Sequence, residues 1–260
     1  MVKIISIASG KGGVGKTVTV ANIGTALASY FNKKVVVVDC NLTNPHLGLY
    51  LGGLSSWPVT LNDVLKNRAM IEQVMYEHST GLKIIPASFG SEDLRRMNMH
   101  RLRSRIKSAF NNYDADVVIL DSAPGLSKES MLTMRCADEV AFVATPHIPS
   151  VVDITKCCQI LKEDTDAKPM GIILNRIQNK SYELGEREIV KFTGLPVIAK
   201  IPESNAVHKS TNFKTPVLHM VPNDRASRAF LAAAGKIVGE EYSLPGAGVL
   251  ARILDRFRRA

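Results

Sequence analysis

The sequence predicts an α/β protein, a three-layer α/β/α fold on a mostly parallel sheet of about seven strands. Two observations carry this. Short apolar runs rich in Val and Ile recur at Lys3–Ala8, Lys34–Asp39, Leu82–Ala87, Asp116–Asp121, Glu139–Ala144, Pro169–Leu174 and Val197–Ile201. They are continuous rather than alternating, as strands covered on both faces are. Helical patterns fall between them at Thr17–Tyr30, Ser91–Asn111, Lys128–Cys136, Val151–Asp164, Glu183–Thr193 and Asp224–Val238. Such alternation requires right-handed crossovers and helices on both sides of the sheet.

The 260 residues are 45% hydrophobic and 22% charged, an ordinary globular composition. No apolar run approaches the ~20 residues that span a bilayer. The first strand leads straight into a motif, so no secretory leader is expected. A net charge of +9 permits contact with nucleic acid or an anionic membrane and decides neither. Cys40, Cys136, Cys157 and Cys158 include no C-x-x-C pair and read as reduced, mostly buried thiols of a cytoplasmic protein.

The decisive motif follows the first strand. Gly10-Lys11-Gly12-Gly13-Val14-Gly15-Lys16-Thr17 satisfies G-x-x-x-x-G-K-T and opens a helix. Glycines let consecutive N–H groups converge on phosphate oxygens, and the helix start adds its positive dipole end. Lys16 is expected at the β- and γ-phosphates and the Thr17 hydroxyl on Mg²⁺. This predicts a P-loop NTPase fold with ATP and Mg²⁺ as ligands. Two other strands end in carboxylates, Asp39 and Asp121. Parallel sheets place ligands at that edge, where both could hold Mg²⁺ through water. The alternative is that each caps a following turn.

Beyond the core, Tyr242–Gly248 carries one Pro and two Gly and reads as a flexible linker after a domain of residues 1–241. In the tail, residues 249–260, Val249, Leu250, Ile253, Leu254 and Phe257 form one helical stripe, with Arg252, Arg256 and Arg259 away from it. A basic amphipathic helix of this kind binds membrane surfaces. One tail is marginal as a helix; two on a dimer bind far better through effective concentration. Docking of the tail on the domain is the alternative.

Lys11-Gly-Gly-Val-Gly-Lys-Thr17 resembles the K-G-G-x-G-K-[ST] pattern of the MinD/ParA family of deviant Walker A ATPases. The resemblance covers nearly the whole chain and is nearest to archaeal-type MinD. It implies that Lys11 crosses a homodimer interface to the partner's phosphates. Asp121-Ser-Ala-Pro-Gly125 looks like the family's second switch, and Asp39 to Gly52 like its first. Where many members carry the aspartate that positions the attacking water, this chain has Asn41; Val18 replaces the usual Thr or Ser. Hydrolysis is therefore expected to be slow and stimulated by a partner protein. Asn175, Arg176, Pro202 and Glu203 resemble the family's adenine-contacting strand ends. The implied function is a MinD-like ATPase that dimerises on Mg·ATP, attaches reversibly to the inner face of the cell membrane through its tail, and positions a division, motility or related apparatus.

Two alternatives differ in class. A ParA-like DNA-partitioning ATPase would use the basic stretch Leu94–Lys107, although Leu94, Met97, Leu102 and Ile106 fit an ordinary amphipathic helix. No DNA-binding extension is expected ahead of a loop that begins at residue 10, so nucleic acid is a weak candidate. An Mrp-like iron–sulfur carrier needs paired cysteines, and Cys136 has no partner in C-x-x-C register.

Overall fold

A computed structural model describes residues 2–53, 57–90, 101–112 and 114–241. The elements in order are β1 (Lys3–Ala8), α1 (Lys16–Tyr30), β2 (Val35–Asp39), α2 (Leu47–Tyr50), α3 (Leu61–Leu65), a 3-10 turn (Ile71–Val74), β3 (Tyr76–Glu77), β4 (Lys83–Ile85), α4 (Leu102–Asn112), β5 (Val117–Asp121), α5 (Lys128–Cys136), β6 (Glu139–Ala144), α6 (Ile148–Asp164), β7 (Lys168–Ile177), α7 (Glu186–Thr193), β8 (Val197–Pro202), α8 (Asn205–Asn212), α9 (Val217–Met220) and α10 (Arg225–Val238). The linker, the tail stripe and residues 91–100 of the expected basic helix lie outside the described residues.

The strands form one eight-stranded sheet in the order β3-β4-β2-β5-β1-β6-β7-β8. Every pairing is parallel except that of the edge strand β3 with β4. The expected seven strands are present. The eighth, β3, has two residues, too short for any periodicity to announce it.

Successive strand residues face opposite sides, so a fully apolar strand feeds two cores. Val36 and Val38 join Ile4, Val118 and Phe142 on one face, under α3 to α6. Val35 and Val37 join Ile5, Ile7 and Ile119 on the other, under α1, α9 and α10. Local signals set the helix ends. Ser127 and Asp224 cap α5 and α10, accepting from Ser130 N and Ala226 N, and Gly239 closes α10 in the left-handed region at φ 74°.

This wiring places the site. The helix that follows β1 (α1) and the helix that follows β5 (α5) lie on opposite faces, although β1 and β5 are hydrogen-bonded neighbours. A crevice therefore opens at the carboxyl ends of these two strands, the place where open α/β sheets bind ligands.

Candidate functional site: a phosphate loop and a base cleft

Residues between β1 and α1 wrap the crevice. Gly15, the N-cap of α1, has φ 94°, which an L side chain adopts only with strain, and a Cβ there would stand 2.3 Å from Asn175 Nδ2. Thr19 donates its N–H and its hydroxyl to Gly15 O, both at 2.9 Å. The loop is pinned to its surroundings by Ser9 Oγ to Lys11 O at 2.7 Å and by Gly125 N to Ser9 O at 2.9 Å. Among the described residues Lys11 makes no ion pair or side-chain hydrogen bond, so its ammonium is free to meet an anion.

Beneath the loop are two buried charges. Lys16 is 8% exposed; burial lowers its pKa and the Asp121 carboxylate opposes that shift. Asp121 is 1% exposed and sits beside Ile7 of β1 and Asp39 of β2 in strand register. Burial pushes Asp121 up to about 6, against the Thr17 hydroxyl and the Lys16 ammonium, which favour its charged form. Even so, neither carboxylate oxygen has a hydrogen bond of good geometry. Buried, unpartnered carboxylate oxygens are costly, and a hard cation is the ligand that satisfies them. The donor set of Thr17 and Asp121 fits Mg²⁺.

Asp39 is differently employed. Its Oδ1 accepts from Asn41 N at 3.1 Å and its Oδ2 from Leu47 N at 3.0 Å. Burial, then repulsion from Asp121, raises its pKa well above the ordinary range, and these backbone donors lower it. Asp39 thus fastens the following loop and the first turn of α2. Asn41 Nδ2 donates to Asn44 O at 2.7 Å, within the same loop. Thr43 Oγ1 donates to Glu129 Oε1 at 2.7 Å and joins this loop to α5, the helix after Asp121. Sequence reasoning missed Thr43 and Glu129, since nothing in their local pattern signals a contact between this loop and α5.

The residues expected at the base also come together. Asn175 is 6% exposed and donates Nδ2 to Val14 O at 2.8 Å, so it braces the phosphate loop. Arg176 takes φ 59° where β7 and β8 lose register, a strain of about 1–3 kcal/mol that tends to collect at functional sites. A cleft unites Gly15 and Val18 with Asn175, Arg176, Pro202 and Glu203. Its remaining wall, Tyr50, Ser204, Val207, His208 and Thr211, was not anticipated. The Ser204 N-cap, which accepts from Ala206 N, marks α8 and was the available signal.

The sequence profile of the CobQ/CobB/MinD/ParA nucleotide-binding domain matches residues 5–217, from within β1 to the first residue of α9. The chain belongs to this family. An uncharacterized ATP-binding protein of Methanocaldococcus jannaschii is 38% identical over 92% of this chain and 88% of its own. The septum site-determining protein MinD of Bacillus subtilis is 29% identical over 99% and 98%. Among solved structures, MinD of Pyrococcus horikoshii complexed with Mg-ADP superposes with a TM-score of 0.85 at 30% identity, covering 91% of this chain and 96% of that one. The expected P-loop α/β/α fold is the one that this chain shares with MinD of Pyrococcus horikoshii.

Other features of this MinD/ParA-family chain bear on the alternatives. Its four cysteines are buried free thiols, and burial pushes Cys136 up to about 12, Cys157 to about 11 and Cys158 to about 12. Thiols held protonated are poor metal ligands. Among the described residues no helix is long and apolar enough to cross a membrane.

Proposed function

We propose that this protein is an ATP-driven switch of the MinD type, which hydrolyses ATP slowly and uses the nucleotide to control its own dimerisation and its attachment to an anionic membrane. The observation that carries this reading is the pair of buried charges under the glycine loop, Lys16 and the unpartnered Asp121. Loop amides and Lys16 hold the phosphates. Thr17 would hold Mg²⁺, with Asp121 and Asp39 holding it through water, and the bound ion would supply positive charge to the phosphates. Lys11 from one protomer reaches the phosphates of its partner. A linker at residues 242–248 and an amphipathic helix at 249–260 provide the anchor, and paired anchors bind where a single one releases.

Sedimentation with anionic vesicles tests the cycle. Protein should pellet with Mg·ATP and stay soluble with Mg·ADP or when truncated after Gly248. Lys11→Ala should retain ATP within about threefold yet remain a monomer by light scattering and stay off vesicles, because the clamp between protomers is lost while the loop is intact. Pelleting that ignores the nucleotide would refute the switch.

Asn41 offers a second check. Asn41→Asp supplies the charge that a water-positioning carboxylate has, and a well-placed base provides about 10²–10⁴-fold. The substitution also breaks the Asn44 bond. A basal rate raised about tenfold is the expected outcome; an unchanged rate places Asn41 away from the attacking water.

A further inference from the structure

Helix α2 is a single turn, yet it touches two parts of the site. Its first N–H, on Leu47, is held by Asp39 Oδ2. Its last residue, Tyr50, is half-buried and lines the cleft with Val18, Arg176, Pro202, Glu203 and His208. Tyr50 carries the largest aromatic ring among the cleft's lining residues; the other ring, the His208 imidazole, is engaged by Glu203. Burial and the Asp121 charge raise its hydroxyl and the Arg176 charge lowers it, so the ring lies within electrostatic reach of both ends of the site.

The middle of α2 is fixed from outside. A Cβ on Gly48 would stand 2.9 Å from Trp57 Nε1, so the indole rests directly on the helix backbone. Trp57 packs on Tyr76 with ring centroids 4.5 Å apart, and Tyr76 Oη donates to Val59 O and accepts from Val59 N. Leu47 and Leu51 are buried in the same core as Val217 and Leu218 of α9. A rigid turn seated this way moves as one piece, carrying Tyr50 and the Asp39-bound N–H together.

We infer that Tyr50 takes the purine base of the bound nucleotide by ring stacking and, through α2, ties occupancy of the base cleft to the placement of the Asp39 loop. This rests on the base-cleft reading above. Flat aromatic faces attract bases of any identity, so Tyr50 contributes affinity, while Glu203, which accepts from His208 Nε2 at 2.5 Å, is placed to discriminate polar edges.

Trp57 is the only tryptophan in the chain and sits on α2, so its fluorescence reports the motion. The experiment compares wild type, Tyr50→Phe and Tyr50→Ala by calorimetry and Trp57 emission, with Mg·ATP, Mg·ADP and inorganic tripolyphosphate. Tyr50→Ala should weaken ATP and ADP alike by roughly 5- to 150-fold, the range that stacking on one ring provides, and blunt the emission change at saturation. Tyr50→Phe should bind both nucleotides like wild type. All three should bind tripolyphosphate equally, which also shows the variants to be folded. Equal ATP binding by wild type and Tyr50→Ala overturns the inference alone, as does a parallel loss of tripolyphosphate. A wild type that gains nothing from the base of ATP over tripolyphosphate overturns the cleft reading itself.

Discussion

Asp121→Asn should raise the melting temperature of the nucleotide-free protein and abolish Mg²⁺-dependent turnover. The carboxylate is 1% exposed and its two oxygens lack partners of good geometry, so the folded apo state carries an unsatisfied charge. Replacing it by a neutral group of the same shape removes a burial cost of about 1–3 kcal/mol, and a chain of this size gains about 2–4 °C per kcal/mol. Turnover falls because the remaining oxygen and amide no longer attract the cation, a loss of about 10²–10³-fold or more. A variant that melts lower than wild type would mean that Asp121 is satisfied in the apo protein.

The same carboxylate sets a pH dependence of known sign. Its folded pKa of about 6 stands above the usual carboxylate value near 3.9, so the folded state binds more protons between those limits. Its contribution to apo stability is fully present below about pH 4 and is lost as pH rises through about 6. Asp39, also raised, acts in the same direction. Wild-type stability minus Asp121→Asn stability should therefore decline from pH 4 to pH 7 in thermal melts. Mg²⁺ competes with the proton and should bind more weakly as pH falls below about 6.

Gly10→Ala should cripple the protein where Gly12→Ala does not. A Cβ at Gly10 would stand 2.2 Å from Asp153 Cβ and 2.8 Å from its backbone carbonyl carbon, so α6 must shift. Overpacking of this kind costs about 1–3 kcal/mol. The shift also spreads the loop whose amides face the phosphates, so ATP affinity should drop at least about tenfold. At Gly12 a Cβ meets nothing nearer than Pro124 Cβ at 3.8 Å. Thermal melts and calorimetry on both variants decide, and equal behaviour of the two would contradict the close approach of α6.

Most of this architecture was legible because burial on both faces forces strand sequences to be continuously apolar. Lys3–Ala8, Lys128–Cys136 and Glu139–Ala144 were bounded to the residue. What escaped was short or held from afar. The two residues of β3 and the single turns α2, α3 and α9 carry no period, and α2 exists because Asp39, eight residues upstream, accepts from its first N–H. The phosphate loop was readable because its mechanism is local. Tyr50, Val207, His208 and Thr211 were not, because a cleft wall is a meeting of distant segments, and Tyr50 looks in sequence like any residue of an apolar loop. Asn175 shows the intermediate case: it was expected at the base edge, and its bond to Val14 O, which braces the phosphate loop, was not anticipated.

The account stands on a glycine loop that grips Mg·ATP through Lys16, and calorimetric titration of Mg·ATP into wild type and Lys16→Ala examines that grip most directly. One nucleotide per chain for wild type, with affinity at least about tenfold weaker for the folded variant, is the predicted result. No heat of binding with wild type, or indistinguishable isotherms for the two proteins, would contradict it.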